Sequence, residues 1–165
     1  MIAIAIAARP KILIADEPTT ALDVTIQAQI LDLLKDLSNQ YDMSIIFISH
    51  DLGVIKAMCD RVHVMYAGQI VEAADVTTLL HSPKHPYTVG LITSSPTIEA
   101  KGKPLKSISG RVPSITETKG NCPFYNRCEK KQERCLSEKL EPIQVTDDHV
   151  VRCLLYQEEG GHRGV

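Results

Sequence analysis

The chain has 165 residues, of which 44% are apolar and 23% are charged, and its net charge is −2. These values fit a globular protein with one core and room for a small added module. The charge balance gives no sign of a nucleic-acid-binding surface, and the scarcity of aromatic residues argues against base stacking. No apolar run reaches the roughly 20 residues that span a bilayer, and Met1–Ala8 lacks the cationic region of a signal peptide. The sequence therefore predicts a cytoplasmic protein.

The residue pattern predicts an α/β fold. Apolar runs at 12–15 and 44–49 are typical of buried strands in a parallel sheet, and we expect the first to be buried on both faces. An amphipathic pattern predicts a helix over 25–37, with Asp23 or Thr25 as its N-cap. The other predicted elements are an Ala-rich helix over 2–8, a helix over 52–58, a hairpin of 61–66 with 69–72, and short helices over 74–81 and 86–94.

The texture of the sequence changes after the last of these helices. Residues 95–120 are rich in Pro, Gly, Ser, Thr and Lys, which predicts an extended linker. Little apolar periodicity follows over 121–156, and the tail 158–165 is polar and Gly-rich, so we expect it to fray. The sequence therefore predicts two parts, a core of residues 1–80 and an extension of residues 81–165.

Two adjacent carboxylates, Asp16 and Glu17, stand where the first predicted strand ends. Pro18 ends that strand because it has no N–H for a sheet ladder. Ligands of parallel sheets bind at the carboxyl ends of the strands. An aspartate there suits Mg²⁺, and an adjacent glutamate can deprotonate a water for attack on a phosphoryl group. The structural alternative is that the two acids only cap a strand and lead into the next helix.

Three stretches occur in order along the chain, namely Asp16-Glu17-Pro18, Ala21-Leu22-Asp23 and His50-Asp51-Leu52. Together they resemble the C-terminal half of an ATP-binding-cassette ATPase. The later stretch Ser82-Pro83-Lys84-His85-Pro86-Tyr87-Thr88 is similar to the C-terminal extension of the ATPase subunits of dipeptide and oligopeptide importers. Nickel importers share this extension. The resemblance covers residues 1 to about 155 and implies part of a P-loop ATPase domain with parallel strands and helices, followed by a small Cys-rich extension.

The resemblance implies a role for each matching residue. Asp16 is expected to help hold the Mg²⁺ of Mg-ATP, and Glu17 to be the general base for attack of water on the γ-phosphate. His50 is expected to contact the γ-phosphate, and Asp23 to reach across a dimer interface between two ATP sites. The implied partners are a second ATPase subunit, membrane permeases and an extracytoplasmic solute-binding protein, with the ATPase peripheral on the inner face of the cell membrane.

The chain also departs from the family pattern. It contains no G-x-x-x-x-G-K-[ST] phosphate loop and no Leu-Ser-Gly-Gly-Gln signature. In the family, a stretch resembling Met1-Ile-Ala-Ile-Ala directly follows that signature, so the sequence has the form of a fragment that begins after it. We expect the isolated chain neither to bind ATP tightly nor to hydrolyse it. We also expect the strands at 12–15 and 45–48 to leave open apolar edges.

Four of the five cysteines, Cys122, Cys128, Cys135 and Cys153, lie in the last third of the chain. In a cytoplasmic protein such a cluster favours a metal site over disulfides, and four thiolates can hold Zn²⁺ or a [4Fe–4S] cluster. The spacing lacks the tight pairs of structural zinc sites, and some ATPases of the resembled family carry a C-terminal cluster. An iron–sulfur cluster therefore ranks first, zinc second and disulfides third, with His149 as a substitute ligand.

Two other functions stay open at this stage. One is a cassette ATPase for nickel or another cargo, and the other is a non-catalytic metal-binding interaction module. The missing phosphate loop favours the second for the isolated chain, whereas Ser82–Thr88 and the cysteines favour peptide import. The sequence does not identify the cargo. His81 and His85 are predicted to cap helix ends rather than to bind metal.

Overall fold

The computed structural model of the chain describes residues 2–20, 22–95, 107–114 and 122–157. The chain divides into two compact units, Met1–Cys59 and Asp60–Val165. The sequence predicts a different boundary, between a core of residues 1–80 and a C-terminal extension of residues 81–165, and this boundary stays a prediction. Most of the predicted linker, and all of the tail 158–165, lie outside the described residues.

The first unit is an α/β arrangement around two parallel strands. Strand β1 (Ile12–Asp16) pairs with β2 (Ser44–Ile48) so that Ile12 lies beside Ser44 and Asp16 lies beside Ile48. Both strands were predicted from their apolar runs, and the elements between them confirm the alternation of strands and helices. The elements are α1 (Ile2–Ala7), β1 (Ile12–Asp16), α2 (Val24–Tyr41), β2 (Ser44–Ile48) and α3 (Leu52–Met58).

Helix α2 shows how local chemistry sets its two ends. Its N-cap is Asp23, whose carboxylate accepts hydrogen bonds from the backbone N–H groups of Thr25 and Ile26. Its C-cap is Asp42, which adopts the left-handed conformation with φ 49°. The helix is therefore longer than the amphipathic stripe of the sequence, because it continues until a residue with positive φ ends it.

Within the described residues of the first unit, only one face of the β1–β2 sheet is covered. Leu13 packs with Leu34 of α2 and with Met43 in a small core. On the other face, four isoleucines are between 47% and 66% exposed, namely Ile12, Ile14, Ile46 and Ile48. The expectation that β1 is buried on both faces is therefore wrong within the described residues, because no described element covers the second face. The open apolar surface is a face of the sheet as well as an edge.

The second unit is built on a four-stranded antiparallel sheet, whose strands lie in the order β3 (Arg61–Tyr66), β4 (Gln69–Asp75), β6 (His149–Val151) and β5 (Ile143–Thr146). The hairpin turn between β3 and β4 is Ala67-Gly68, with φ 47° and 77°, a pair of values suited to a two-residue hairpin turn. The elements are β3 (Arg61–Tyr66), β4 (Gln69–Asp75), α4 (Val76–His81), α5 (Pro86–Ser94), α6 (Arg134–Ser137), β5 (Ile143–Thr146) and β6 (His149–Val151).

The core of the second unit is aromatic and aliphatic. Its buried members are Val64, Tyr66, Val71, Ala74, Leu79 and Phe124. The rings of Tyr66 and Phe124 meet edge to face with centroids 5.2 Å apart, and Tyr87 of α5 packs 4.6 Å from Tyr66. The first residues of α5 thus belong to the same core as the hairpin.

Two features of this unit were not predicted. Strands β5 and β6 are short, and β6 pairs with β4, so the C-terminal segment completes the sheet that the hairpin begins. Part of the predicted linker, residues 107–114, has no helix or strand but is held in place. The guanidinium of Arg127 donates to the carbonyl oxygens of Ile108 and Ser109, each at 2.8 Å.

Across the described residues, no helix has the length and apolarity needed to cross a membrane.

Candidate functional site

The two predicted catalytic acids lie at the carboxyl end of β1. Asp16 is the last residue of the strand and its side chain is exposed. Glu17 follows, and its backbone N–H donates to the carbonyl of Ile48 at 3.0 Å, so the ends of both strands meet at one edge. The φ of Glu17 is 44°, an uncommon value for a residue other than glycine. Because of this positive φ, the backbone changes direction at Glu17 and does not continue the line of the strand.

Each oxygen of the Glu17 carboxylate has its own partner. Oε1 lies 3.0 Å from Nδ1 of His50, and Oε2 accepts a hydrogen bond from the hydroxyl of Thr20 at 2.9 Å. The hydrogen bond with His50, followed by that with Thr20, holds the pKa of the Glu17 carboxyl below its usual value. The side chain of His50 is 79% exposed and that of Glu17 is 45% exposed. The structure thus joins two predicted residues that are 33 positions apart in the chain.

The position of His50 is set by the elements on either side of it. Strand β2 ends two residues before it, and Asp51 directly after it is the N-cap of α3. The Asp51 carboxylate accepts from the backbone N–H groups of Gly53 and Val54. Asp51 therefore has a structural role, whereas the exposed ring of His50 is directed to Glu17.

The residues at this edge are of the kind that binds Mg²⁺, the ion that the sequence predicts there. Mg²⁺ is bound in phosphate sites by one or two carboxylates together with waters and phosphate oxygens. Asp16 and Glu17 are two neighbouring carboxylates on a solvent-facing edge. Within the described ranges, no group of three or more His, Cys, Asp or Glu side chains is arranged to hold a metal ion. The edge therefore offers part of a magnesium site rather than a complete cage.

The second cluster of interest is a cavity in the second unit, which we call the thiol cavity. It is lined by Cys122, Cys128, Cys135 and Cys153 together with other residues that include His85 and Phe124. The backbone N–H of Cys122 donates to the carbonyl of Cys135 at 3.0 Å, which ties two of the cysteine segments together. None of the four forms a disulfide.

Burial changes the acidity of three thiols of the cavity. Burial raises the pKa of Cys122 and of Cys153 to about 11, and burial also raises the pKa of Cys128. The neighbouring cysteines add to these shifts, because a second thiolate nearby disfavours the first. A bound metal would have to displace these protons, and the described residues, which include all four cysteines, form no group of three or more such side chains arranged to hold a metal ion.

Beside the thiol cavity lies a buried carboxyl group that sequence reasoning missed. Glu72 of β4 is 0% exposed and accepts hydrogen bonds from the backbone N–H groups of Lys84 at 2.6 Å and His85 at 2.9 Å. Its Oε1 also lies 2.7 Å from Nε2 of His149. His149, expected as a substitute ligand for the cysteines, is thus engaged by Glu72. The available signal was a glutamate within the apolar run Ile70–Ala74.

His85 confirms the predicted helix cap. It is the N-cap of α5, and its Nδ1 accepts a hydrogen bond from the backbone N–H of Tyr87 at 3.0 Å. Burial lowers the pKa of His85 to about 4, although the nearby Glu72 opposes this shift. The imidazole is therefore neutral at pH 7. Because Nδ1 accepts, its proton is on Nε2.

Comparison with known proteins is consistent with this arrangement. Residues 71–135 match the family described as the oligopeptide/dipeptide transporter, C-terminal region. The chain is 49% identical over 163 residues to the oligopeptide transport ATP-binding protein AppD of Bacillus subtilis, covering 99% of this chain and 50% of that protein. It is 50% identical over 156 residues to OppD of the same organism, covering 94% and 44%. OppD of Escherichia coli is 46% identical over 137 residues, covering 83% and 41%.

Over nearly its whole length the chain is thus similar to ATP-binding proteins of oligopeptide and dipeptide transport, and the parallel strands of the first unit are consistent with a part of such a protein. It spans about half the length of the curated relatives that it matches.

Proposed function

We propose that the chain supplies the water-activating part of an ATP-hydrolysing site in a peptide importer. The observation that carries this proposal is the contact of Glu17 with His50 at the edge where β1 and β2 end. The relatives are named for oligopeptide and dipeptide transport, which favours peptides over nickel as the cargo. The class of reaction is phosphoryl transfer from ATP to water.

Each residue at the edge has one task in this proposal. Glu17 accepts the proton of a water molecule while the water oxygen forms its bond to the γ-phosphorus, and the bond to the leaving ADP breaks. Glu17 carries a carboxylate at neutral pH and can therefore accept that proton, while the hydrogen bonds with His50 and Thr20 hold its pKa below the usual value. His50 holds Glu17 through Nδ1 and would contact the γ-phosphate of bound ATP. Asp16 would help hold Mg²⁺, which would supply positive charge to neutralise the phosphates.

Partners complete the proposal. The 165 residues contain no phosphate-binding loop, so we propose that residues outside this sequence hold the phosphates. Asp23, whose carboxylate caps α2, is proposed to lie at the interface with a second ATPase subunit. The assembly would include membrane permeases and a solute-binding protein, with the ATPase on the cytoplasmic face of the membrane.

A chimera tests the proposed activity. The half of Bacillus subtilis AppD that this chain does not match is joined to the chain, and Mg-dependent ATP hydrolysis is measured. We expect turnover by the chimera, none by the 165-residue chain, and a loss of about 100-fold or more in Glu17→Gln. The matched control is Asp36→Asn, on the exposed surface of α2, which should keep full turnover. Undiminished turnover in Glu17→Gln would refute the role of Glu17.

A second function is favoured by the thiol cavity. We propose that its four cysteines bind a [4Fe–4S] cluster, with Zn²⁺ as the alternative, because four sulfur donors line one cavity. A bound cluster or ion would link the chain segments that carry the four cysteines. The chain is purified anaerobically, its absorbance near 400 nm is recorded, and its iron and zinc contents are measured. A cluster gives about four iron atoms per chain, and a zinc site gives about one zinc ion per chain. A chain with neither metal would overturn this second function.

A further inference from the structure

We infer that Thr20 is a positioning residue that holds the carboxylate of Glu17 in the orientation needed to activate water. This inference rests on the proposed role of Glu17 as general base. The observation is the hydrogen bond of 2.9 Å from the Thr20 hydroxyl to Oε2, on the opposite oxygen from His50. Neither the similarity to known relatives nor the sequence pattern gives Thr20 a role.

The backbone makes this hydrogen bond a property of the turn. The backbone N–H of Thr20 donates to the carbonyl of Glu17 at 3.1 Å, which closes a four-residue turn with Pro18 in its second position. Proline restricts that position to one value of φ. Thr20 is β-branched, so its side chain has few rotamers with which to leave the contact. The hydroxyl is therefore presented to Glu17 by a short and stiff segment.

A second anchor is needed because a glutamate carboxylate rotates easily. The terminal torsion of Glu has broad minima, so one hydrogen bond on Oε1 leaves the plane of the carboxylate free to turn. The partner on Oε1 is the ring of His50, which is itself 79% exposed. With Thr20 on Oε2, both oxygens are fixed and so is the plane. Each oxygen of an ionised carboxylate can accept more than one hydrogen bond, so a lone pair remains for the proton of water.

Three substitutions in the AppD chimera test this role. Thr20→Val removes the hydroxyl at nearly constant shape, Thr20→Ser keeps it, and Thr19→Val makes the same change one residue earlier. We expect Thr20→Val to lower kcat about 10-fold or more, with KM for ATP within about twofold, because the effect is on chemistry rather than on binding. Thr20→Ser should recover kcat to within about threefold, and Thr19→Val should resemble the unmodified chimera.

A double substitution separates positioning from structure. In a Glu17→Gln background, Thr20→Val should cause no further loss of kcat, because the carboxylate that Thr20 positions is no longer present. An equal loss in both backgrounds, or a rise in KM alone, would overturn the inference. If Glu17→Gln itself retains turnover, the proposed function fails. If Glu17→Gln is inactive while Thr20→Val keeps its kcat, only the role of Thr20 fails.

A measurement on the 165-residue chain needs no ATP. With ¹³C-labelled glutamate, NMR relaxation reports the motion of the Glu17 side chain. We expect larger motion in Thr20→Val and unchanged motion in Thr19→Val. Equal rigidity of Glu17 in the unmodified chain and in Thr20→Val would overturn the inference even where the chimera has no activity.

Discussion

The two units each contain a histidine–glutamate pair, and the pairs differ in their exposure to solvent. In the first unit, His50 lies 3.0 Å from Glu17, with side chains 79% and 45% exposed. In the second unit, His149 lies 2.7 Å from Glu72, with side chains 2% and 0% exposed. The histidine–glutamate pair is therefore exposed to solvent in the first unit and buried in the second.

This difference separates a pair that can act on a ligand from a pair that holds the fold. An exposed ion pair contributes little to stability, because water and salt screen it and its partners can be exchanged. A buried carboxyl group that loses its partners is costly, because each unpaired polar group stays out of water. Glu17 is thus free to take part in chemistry, whereas Glu72 fixes the start of α5 and strand β6 against β4.

The largest expected effect is that of Glu72→Gln. The amide keeps the shape but replaces an accepting oxygen with a donor, which then faces backbone N–H groups or His149. We expect the free energy of unfolding to fall by about 3–5 kcal/mol, as measured by urea denaturation. A loss below about 1 kcal/mol would show that the buried pair does not hold the second unit together.

The next effect is the dependence of stability on pH through His85. The folded chain keeps His85 neutral to about pH 4, while the unfolded chain binds a proton below its usual pKa of 6.5. The contribution of neutral His85 to the free energy of unfolding is fully present above pH 6.5. It is lost as the pH falls, and the loss reaches about 3 kcal/mol near pH 4. The measurement is urea denaturation across this range of pH.

His85→Asn is the matched control for this pH dependence, because asparagine is a good N-cap and does not titrate. The charged group that faces His85 is Glu72, which opposes the shift and is retained in the variant. We expect a shallower fall in stability between pH 6.5 and 4 in the variant. Parallel curves for the two proteins would assign the pH dependence to other groups.

A smaller effect concerns the reactivity of the thiol cavity. Because the pKa of Cys122 and of Cys153 is about 11 against the usual 9.0, their thiolate fraction at neutral pH is about 100-fold lower than in an unfolded chain. Alkylation of the metal-free folded chain by iodoacetamide, followed site by site by mass spectrometry, should be slower by about this factor than in urea. Equal rates in the two conditions would contradict the burial of these thiols.

The smallest expected effect is that of Glu17→Gln on stability. Its carboxylate is open to solvent, so we expect no change in the urea midpoint of the chain that exceeds the error of the measurement. The same substitution is expected to remove turnover from the chimera. A large loss of stability would make Glu17 a second structural glutamate, and the contrast between the two pairs would disappear.

The sequence predicted the features that depend on neighbouring residues. The strands 12–15 and 44–49 followed from their apolar runs, and Asp23 and His85 were recognised as caps because a cap bonds to N–H groups two or three positions away. The resemblance to a known family gave Glu17 and His50 separate roles at an ATP site, but their contact was found only in the structure. The hydroxyl of Thr20 was overlooked because its direction depends on the positive φ of Glu17.

By itself, then, the sequence determined the α/β alternation, the acids at the end of β1 and the presence of four nearby cysteines. The tertiary structure alone decided that Glu72 binds Lys84 and His149, 12 and 77 residues away, and that β6 joins β4. Such partners are chosen by the packing of the whole unit, because a buried carboxyl group is stable only where the fold brings donors to it. No local pattern along the chain carries that information.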